Sequence, residues 1–416
     1  MARGFGMFLI RLNRKNATMS YNRLRSPSRS VIGGVVLAFL GVISTGASSS
    51  AQSLSGEPTA EQVEIAGSGF SGQMRLIPLQ NRGSYRKALS LPRTAEFSLT
   101  GLSWAGGTGG FGGTAQVRTR DSASGAWSRW QNLDSEVRQP ETAEGVRNGT
   151  TGMSEPLWTG PSQGIEIRVD GTGSAVPLPE TLELVLVDPG KLETDSKVNA
   201  SPGAARAIPS APPVITRAQW GADESLVKDP PTYLSKVDAA FVHHTAGTNS
   251  YACAESPAII RGILAYHVNT SGWNDIGYNF FVDKCGTIFE GRAGGADRPV
   301  LGAHTYGFNT VSAGIAVLGN YEEEGTATTS EVEQAVADIA AWKLGLHGVH
   351  PEGQVTLTAA GDTGVWNKGD RATLHRVSGH RDGYATLCPG ANLYEVLPEI
   401  RTRAGQSPYA IPEATR

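Results

Sequence analysis

Short segments in which apolar and polar residues alternate recur between residues 60 and 190. Examples are Gln116–Thr119, Ile165–Val169 and Leu182–Val187. A period of two residues, interrupted by Gly, Pro, Asp and Ser, is the signal of a half-buried β-strand. No convincing helical period occurs in this region. The pattern therefore predicts an N-terminal antiparallel β-sandwich over residues 60–190.

The pattern changes after this region. Residues 191–213 contain Pro, Ala and Ser with almost no large apolar residues, which predicts a linker. From Val214 onward, buried strands alternate with segments of helical period. Val237–Thr245 is predicted to be a strand that ends in histidine, and 256–268 and 330–348 are predicted helices. We expect a mixed α/β domain over 214–404, with a central sheet flanked by helices, and a C-terminal tail over 405–416.

The first 51 residues are typical of a secretory signal. Arginines at 23, 25 and 29 precede a 13-residue apolar run, Val31–Ile43, and small residues follow it as far as Ala51. A membrane-spanning helix needs about 20 residues, so an uncleaved anchor is the less favoured alternative. We predict a signal peptide over residues 1–51, export of the mature protein, and no stable membrane insertion after cleavage.

Charge and cysteine content narrow the possible functions. The formal net charge is −3, and no basic stripe of the kind that binds nucleic acid occurs. The three cysteines form no closely spaced pair, which argues against a zinc finger.

The stretch "SGHRDGYATLCPG" places His380 and Cys388 eight residues apart, with a loop between them. Imidazole nitrogen and thiolate sulfur are favoured zinc ligands, and a catalytic zinc site uses three protein ligands. The predicted strand that ends in His243 and His244 offers a third ligand. Because adjacent strand residues point to opposite faces, only one of these two histidines is expected to face the metal, and the spacing does not say which.

Four motifs in this order carry a resemblance to a known family: "FVHHTAG", "WNDIGYNFFVDKCGTIFEGR", "GAHTYGFNTVSAGIAVLGNY" and "GHRDGYATLCPG". The C-terminal domain resembles type-2 N-acetylmuramoyl-L-alanine amidases, a family shared with peptidoglycan recognition proteins. The N-terminal region more weakly resembles the β-domain that precedes such amidases in some secreted actinobacterial proteins.

The resemblance implies a zinc-dependent hydrolase that cuts the amide between N-acetylmuramic acid and L-alanine in peptidoglycan. It implies roles for seven residues. The metal ligands are His243, His380 and Cys388; the catalytic residues are Tyr278, which faces the metal and the reacting carbonyl, and Thr386, where some relatives have Lys; the substrate-binding residues are His304 and Asn309.

With Cys388 assigned to the metal, Cys253 and Cys285 remain, and in an exported chain we expect them to form a disulfide. The alternative function is a peptidoglycan-binding protein of the same fold that has lost catalysis. In that branch the cysteine ligand is typically replaced, so the presence of Cys388 favours catalysis. The sequence leaves open the residue at the third position of the stem peptide, the role of the β-domain and the oligomeric state.

Overall fold

The computed structural model describes residues 61–67, 70–83, 85–106, 109–135, 137–147, 151–172, 178–193, 195 and 211–412. The predicted signal peptide and most of the predicted linker lie outside these residues. None of the described helices combines the length and the apolar character needed to cross a bilayer.

The N-terminal domain is built from antiparallel strands, as the alternating pattern predicts. Its elements are β1 (Glu61–Gly67), β2 (Phe70–Pro78), β3 (Gln80–Asn81), β4 (Arg86–Leu91), β5 (Phe97–Ala105), β6 (Gly113–Asp121), β7 (Gln131–Leu133), α1 (Ala143–Arg147), β8 (Thr151–Met153), β9 (Leu157–Gly171) and β10 (Leu182–Asp188). The main strand order is β1-β2-β10-β5-β9-β4-β3, with β6 on β9, β7 on β6 and β8 on β5.

The long strand β9 joins the two halves of this β-domain. Its first part pairs with β5, and its second part pairs with β4 and β6. The side chains that point inward from these strands and from β10 form one apolar core, which includes Phe97, Leu102, Ile165, Ile167 and Leu184.

The C-terminal domain is mixed α/β, as predicted. Its elements are β11 (Val214–Ile215), α2 (Arg217–Trp220), β12 (Ala239–His244), α3 (Ser256–Asn269), β13 (Phe280–Val282), β14 (Ile288–Glu290), β15 (Ser312–Val317), α4 (Ser330–Gly345), β16 (Gln354–Thr358), β17 (Arg371–His375), β18 (Val377–Gly379), α5 (His380–Gly383), α6 (Ala391–Glu395) and α7 (Leu397–Gln406). Helix α7 thus extends two residues beyond the predicted domain end at 404. The N-cap of α4 is Thr329, whose hydroxyl accepts a hydrogen bond from the Val332 N–H.

The central sheet of this domain has the order β11-β14-β13-β15-β12-β18. Strands β13 and β14 form an antiparallel hairpin, whereas β12 is parallel to both of its neighbours, β15 and β18. The carboxyl ends of parallel strands meet at one edge of a sheet, where ligand sites of open α/β folds usually lie. The end of β12 and the residue that follows β18 are therefore brought together.

Helix α3 is buried on nearly all sides because it lies between the two domains. One side packs on the central sheet, and Ile259, Ile260 and Ile263 share an apolar cluster with Leu99 of β5 and Val185 of β10. Helix α3 thus covers the face of the β-domain sheet that points away from that domain's own core. This explains why eight of the nine residues of β5 are buried. A helix that is apolar all round needs cover on both sides.

The contact between α3 and β5 is close. A Cβ atom on Gly101 would lie 2.4 Å from the Tyr266 hydroxyl, so only glycine fits there. The Tyr266 hydroxyl in turn lies 2.9 and 3.0 Å from the carbonyl oxygens of Leu102 and Ser154 in the β-domain. The interface is therefore packed and hydrogen-bonded.

Candidate active site

Two histidines and one cysteine converge at the carboxyl edge of the central sheet. The parallel pairing of β12 with β18 places Val242 opposite Gly379. The next residues of the two segments, His243 and His380, therefore lie side by side. Cys388 comes from the loop after α5, and donor atoms of all three residues lie within 4.8 Å of one another. The three residues predicted to bind zinc are thus together in the fold.

The neighbours of His243 orient its ring. Its Nδ1 lies 3.7 Å from the Cys388 Sγ atom, so this nitrogen faces the other donors. Its Nε2 lies 3.3 Å from both His304 Nδ1 and Thr305 Oγ1. A second nitrogen held by a hydrogen-bonding partner is what fixes the orientation of a metal-binding imidazole.

Burial keeps the histidines of this cluster neutral. It lowers the pKa of His243 well below its ordinary value and, with the nearby histidines, lowers that of His380 to about 3. A neutral imidazole is the form that binds a metal. Burial also raises the pKa of the Cys388 thiol, while the backbone N–H of His244 donates to its sulfur at 3.4 Å and opposes that rise.

These residues fit a zinc ion on their chemistry. Two neutral imidazoles and one thiol, all buried and all within 4.8 Å, match the three-ligand nitrogen–sulfur set of catalytic zinc sites. A bound divalent ion deprotonates a coordinating thiol outright, which would offset the effect of burial on Cys388. The other cluster of this size among the described residues contains Cys253 and Cys285, which are bonded to each other.

A cleft of about 1320 Å³ opens next to the donors. Its walls include His380, Cys388, Tyr278 and Thr386 from the α/β domain, and also Asp134 and Glu155 from the β-domain. The two predicted catalytic residues therefore lie in the same cleft as the candidate metal donors, and one wall of that cleft belongs to the β-domain.

Two carboxyl groups of the β-domain line the cleft beside these hydroxyl groups. Thr386 Oγ1 lies 3.4 Å from Asp134 Oδ2, and Glu155 lines the cleft together with Tyr278. Burial, with a smaller contribution from Glu155, raises the pKa of Tyr278 well above its ordinary value. Burial and the charge of Asp134 raise the pKa of Glu155 to about 8.

The structure places the two predicted substrate-binding residues at the cleft with specific partners. His304 contacts His243, and its own Nε2 is buried without a hydrogen-bond partner. The Asn309 Oδ1 accepts from the backbone N–H groups of His304 and Thr305 at 2.8 and 2.9 Å. Glu141 of the β-domain accepts from both the backbone N–H and the Nδ2 of Asn309, at 2.9 and 2.7 Å.

Sequence reasoning missed Asp134, Glu141 and Glu155. All three lie in irregular segments of the β-domain, and no motif or period marks them. They reach the cleft only through the packing of the two domains. By contrast, the expected disulfide is present: Cys253 and Cys285 are bonded across a separation of 32 residues and link the start of α3 to the β13–β14 turn.

Comparisons with known proteins agree with this architecture. Residues 233–391 match the N-acetylmuramoyl-L-alanine amidase family, and residues 58–202 match the Rv3811 N-terminal galactose-binding domain-like family. The chain is 32% identical over 189 residues to peptidoglycan-recognition protein SC2 of Drosophila simulans, across 45% of this chain and 85% of that protein. It is 29% identical over 191 residues to peptidoglycan recognition protein 1 of Bos indicus, across 45% and 83%.

Solved structures of similar proteins each cover a little under half of the chain. One is peptidoglycan recognition protein-LE in complex with tracheal cytotoxin, a monomeric diaminopimelic acid-type peptidoglycan. The match has 28% identity and a TM-score of 0.35, and it covers 48% of this chain and 95% of that chain.

Proposed function

Since the chain belongs to the N-acetylmuramoyl-L-alanine amidase family that includes the peptidoglycan recognition proteins, we propose that it is a zinc-dependent peptidoglycan amidase. It hydrolyses the amide between N-acetylmuramic acid and the L-alanine of the stem peptide. The observation that carries this proposal is the cluster of His243, His380 and Cys388 on the wall of a large cleft. Non-catalytic relatives typically lack the cysteine ligand, and here it is present.

The residues around the cleft have complementary tasks in this reaction. His243, His380 and Cys388 would hold the zinc ion, which supplies Lewis acidity and lowers the pKa of water toward neutrality. Tyr278 and Thr386 present hydroxyl groups to the same cleft. A hydrogen-bond donor aimed at the developing oxyanion is worth about 3 kcal/mol in reactions of this class. His304 and Asn309 shape the wall against which the stem peptide would lie.

The disulfide supports action outside the cytoplasm. Disulfides persist in oxidising compartments and are rare in cytosolic proteins. The bond between Cys253 and Cys285 therefore agrees with a protein that works at the cell wall, where peptidoglycan is found.

Digestion of purified sacculi by the full chain tests the proposal. We expect release of peptides with a free L-alanine amino group from intact glycan, loss of this activity in chelator, and recovery on addition of zinc. New reducing ends would instead identify a glycosidase. Binding to sacculi without release of any fragment would indicate a non-catalytic binding protein.

A further inference from the structure

A carboxylate of the β-domain binds the turn of the α/β domain that begins at His304. The Glu141 Oε1 accepts from the backbone N–H of Asn309 at 2.9 Å, and the Glu141 Oε2 accepts from the Asn309 Nδ2 at 2.7 Å. Asn309 is only 1% exposed, so water has little access to these two donors. A buried donor that loses its partner is costly to the fold. The β-domain therefore satisfies two donors that the α/β domain buries.

The amide of Asn309 carries this contact to the other end of the turn. Its Oδ1 accepts from the backbone N–H groups of His304 and Thr305 at 2.8 and 2.9 Å. Because the amide oxygen and the amide nitrogen both have partners, the group cannot rotate without losing them. Glu141 thus holds the Asn309 amide in the orientation that fixes the backbone of His304 and Thr305.

Thr305 and His304 lie against the outer nitrogen of His243. Thr305 is fully buried, and its Oγ1 lies 3.3 Å from the His243 Nε2 and 3.0 Å from the His304 Nδ1. The His243 Nδ1 faces the Cys388 Sγ atom at 3.7 Å and is the nitrogen that would bind a metal. The proton of the neutral ring then belongs on Nε2, where the Thr305 oxygen can accept it. An acceptor at this nitrogen fixes both the tautomer and the orientation of a metal-binding imidazole.

We propose that Glu141 is a positioning residue of the metal site, which the β-domain supplies to the outer side of His243. Its carboxylate holds Asn309, which in turn holds the Thr305 backbone. The Thr305 hydroxyl then keeps the His243 proton on Nε2 and leaves Nδ1 free for the metal. The β-domain is thus a part of the metal site and not only a spacer. This inference rests on the zinc site of the proposed function.

The zinc affinity of the full chain, measured by competition with a chelator of known affinity, tests the inference. Thr305→Val removes the hydroxyl, keeps the shape of the side chain, and is expected to weaken zinc binding by about ten- to a hundredfold. Glu141→Ala acts further from the metal, so we expect a loss at the lower end of that range, about tenfold. Glu141→Gln keeps one of the two accepting oxygens and should lie between Glu141→Ala and the native chain.

A double-mutant cycle tests whether the two residues act together. Adding Glu141→Ala to Thr305→Val should weaken zinc binding by less than about twofold more, because both substitutions break the same chain of contacts. Losses that multiply in the double variant would mean that Glu141 acts on the zinc site by another route, and they would overturn the inference.

Gln139→Ala is the matched control. Gln139 lies two residues before Glu141 and also bonds across the domain interface, but to Trp273 Nε1 and to the Ser271 carbonyl, at 2.9 and 3.0 Å. Its loss weakens the interface without touching the turn that begins at His304, so the zinc affinity should not change. A loss equal to that of Glu141→Ala would mean that the interface as a whole holds the site, and it would overturn the specific role of Glu141.

A second measurement does not need zinc. In full-length protein labelled with nitrogen-15 at histidine, long-range proton–nitrogen spectra report which ring nitrogen carries the proton, and the His243 signals are identified by their absence from His243→Gln. In zinc-free protein these signals should show the proton on Nε2, move in Glu141→Ala and stay in place in Gln139→Ala. Unmoved signals in Glu141→Ala overturn the inference whether or not the chain binds zinc. Moved signals in a chain that neither binds zinc nor cleaves peptidoglycan overturn the amidase function and leave the positioning of His243 established.

Discussion

Glu144 of the β-domain and Arg292 of the α/β domain form an ion pair with an N–O distance of 2.5 Å, and their side chains are only 6% and 7% exposed. Glu144 also accepts from the backbone N–H of Asn274 at 2.6 Å. The backbone N–H of Arg292 donates to the carbonyl of Tyr278 at 2.9 Å, so this pair links the domain interface directly to the candidate catalytic tyrosine, two residues before β13.

Removal of one member of this pair should destabilise the protein strongly. Arg292→Met leaves the Glu144 carboxylate buried without its ion-pair partner, which costs about 3–5 kcal/mol in comparable cases. We expect a loss of this size in urea unfolding of the full chain, and a smaller loss when Glu144→Met is added. The control is Arg86→Met, which breaks the exposed pair with Asp170 and should cost less than about 1 kcal/mol. Equal losses of unfolding free energy in Arg292→Met and Arg86→Met would show that the interface pair stabilises the protein no more than an exposed ion pair does.

The convergence of His243, His380 and Cys388 could be predicted because strand register and a short loop bring them together. A short loop joins His380 to Cys388, which keeps these two residues close to each other. The parallel pairing of β12 with β18 places the histidines at the end of β12 beside them. The family motifs chose His243 over His244, and the structure agrees with the alternation rule: His243 faces the donors, whereas the His244 Nδ1 accepts from the Tyr321 N–H at 3.1 Å.

The contribution of the β-domain could not be predicted from motifs, because it depends on how two domains pack. One signal was nevertheless present in the chain. Helix α3 carries apolar residues on more than one face, and β10 has valines between its leucines, so both elements need cover on both sides. That signal predicts an interface, but it does not reveal that Asp134 would reach Thr386 or that Glu141 would reach Asn309, since no periodic pattern surrounds either acidic residue.

The thiol at position 388 is expected to be essential for zinc binding. Cys388→Ser replaces a thiolate ligand with a hydroxyl that stays protonated at neutral pH, so we expect loss of zinc and of sacculus cleavage together. Metal analysis of the purified variant and a digestion assay check this. The fold should persist, because the apolar core of the α/β domain is built from other residues. Activity that survives in both Cys388→Ser and chelator would reject the metal site.

The disulfide is expected to contribute to the stability of the protein but not to its binding of zinc. Its 32-residue separation gives an expected contribution of about 3–4 kcal/mol in the chain-entropy model. We expect the double variant Cys253→Ala/Cys285→Ala to unfold at correspondingly lower urea concentration and to keep its zinc. Loss of zinc in this variant would mean that the start of α3 and the β13–β14 turn influence the candidate metal donors.

Lys343 should make stability depend on pH in alkaline solution. This residue of α4 is 2% exposed, and its Nζ donates to the carbonyl oxygens of Ala296 and Arg298 at 2.7 and 2.5 Å. Burial lowers its pKa to about 7. Above pH 7 the folded chain loses this proton while the unfolded chain keeps it up to about pH 10. The unfolded state then binds more protons, so the unfolding free energy rises with pH.

The variant Lys343→Met isolates this effect, because every other titrating group is common to both proteins. We expect the unfolding free energy of the native chain, minus that of Lys343→Met, to increase between pH 7 and pH 9 by up to about 1.4 kcal/mol per pH unit. Urea unfolding at several pH values measures the difference. A difference that does not change with pH would show that the two carbonyl oxygens keep Lys343 charged despite its burial. A difference that stays constant to about pH 10 and falls above it would mean that they raise its pKa instead, because the charged amine would then contribute stability that deprotonation removes.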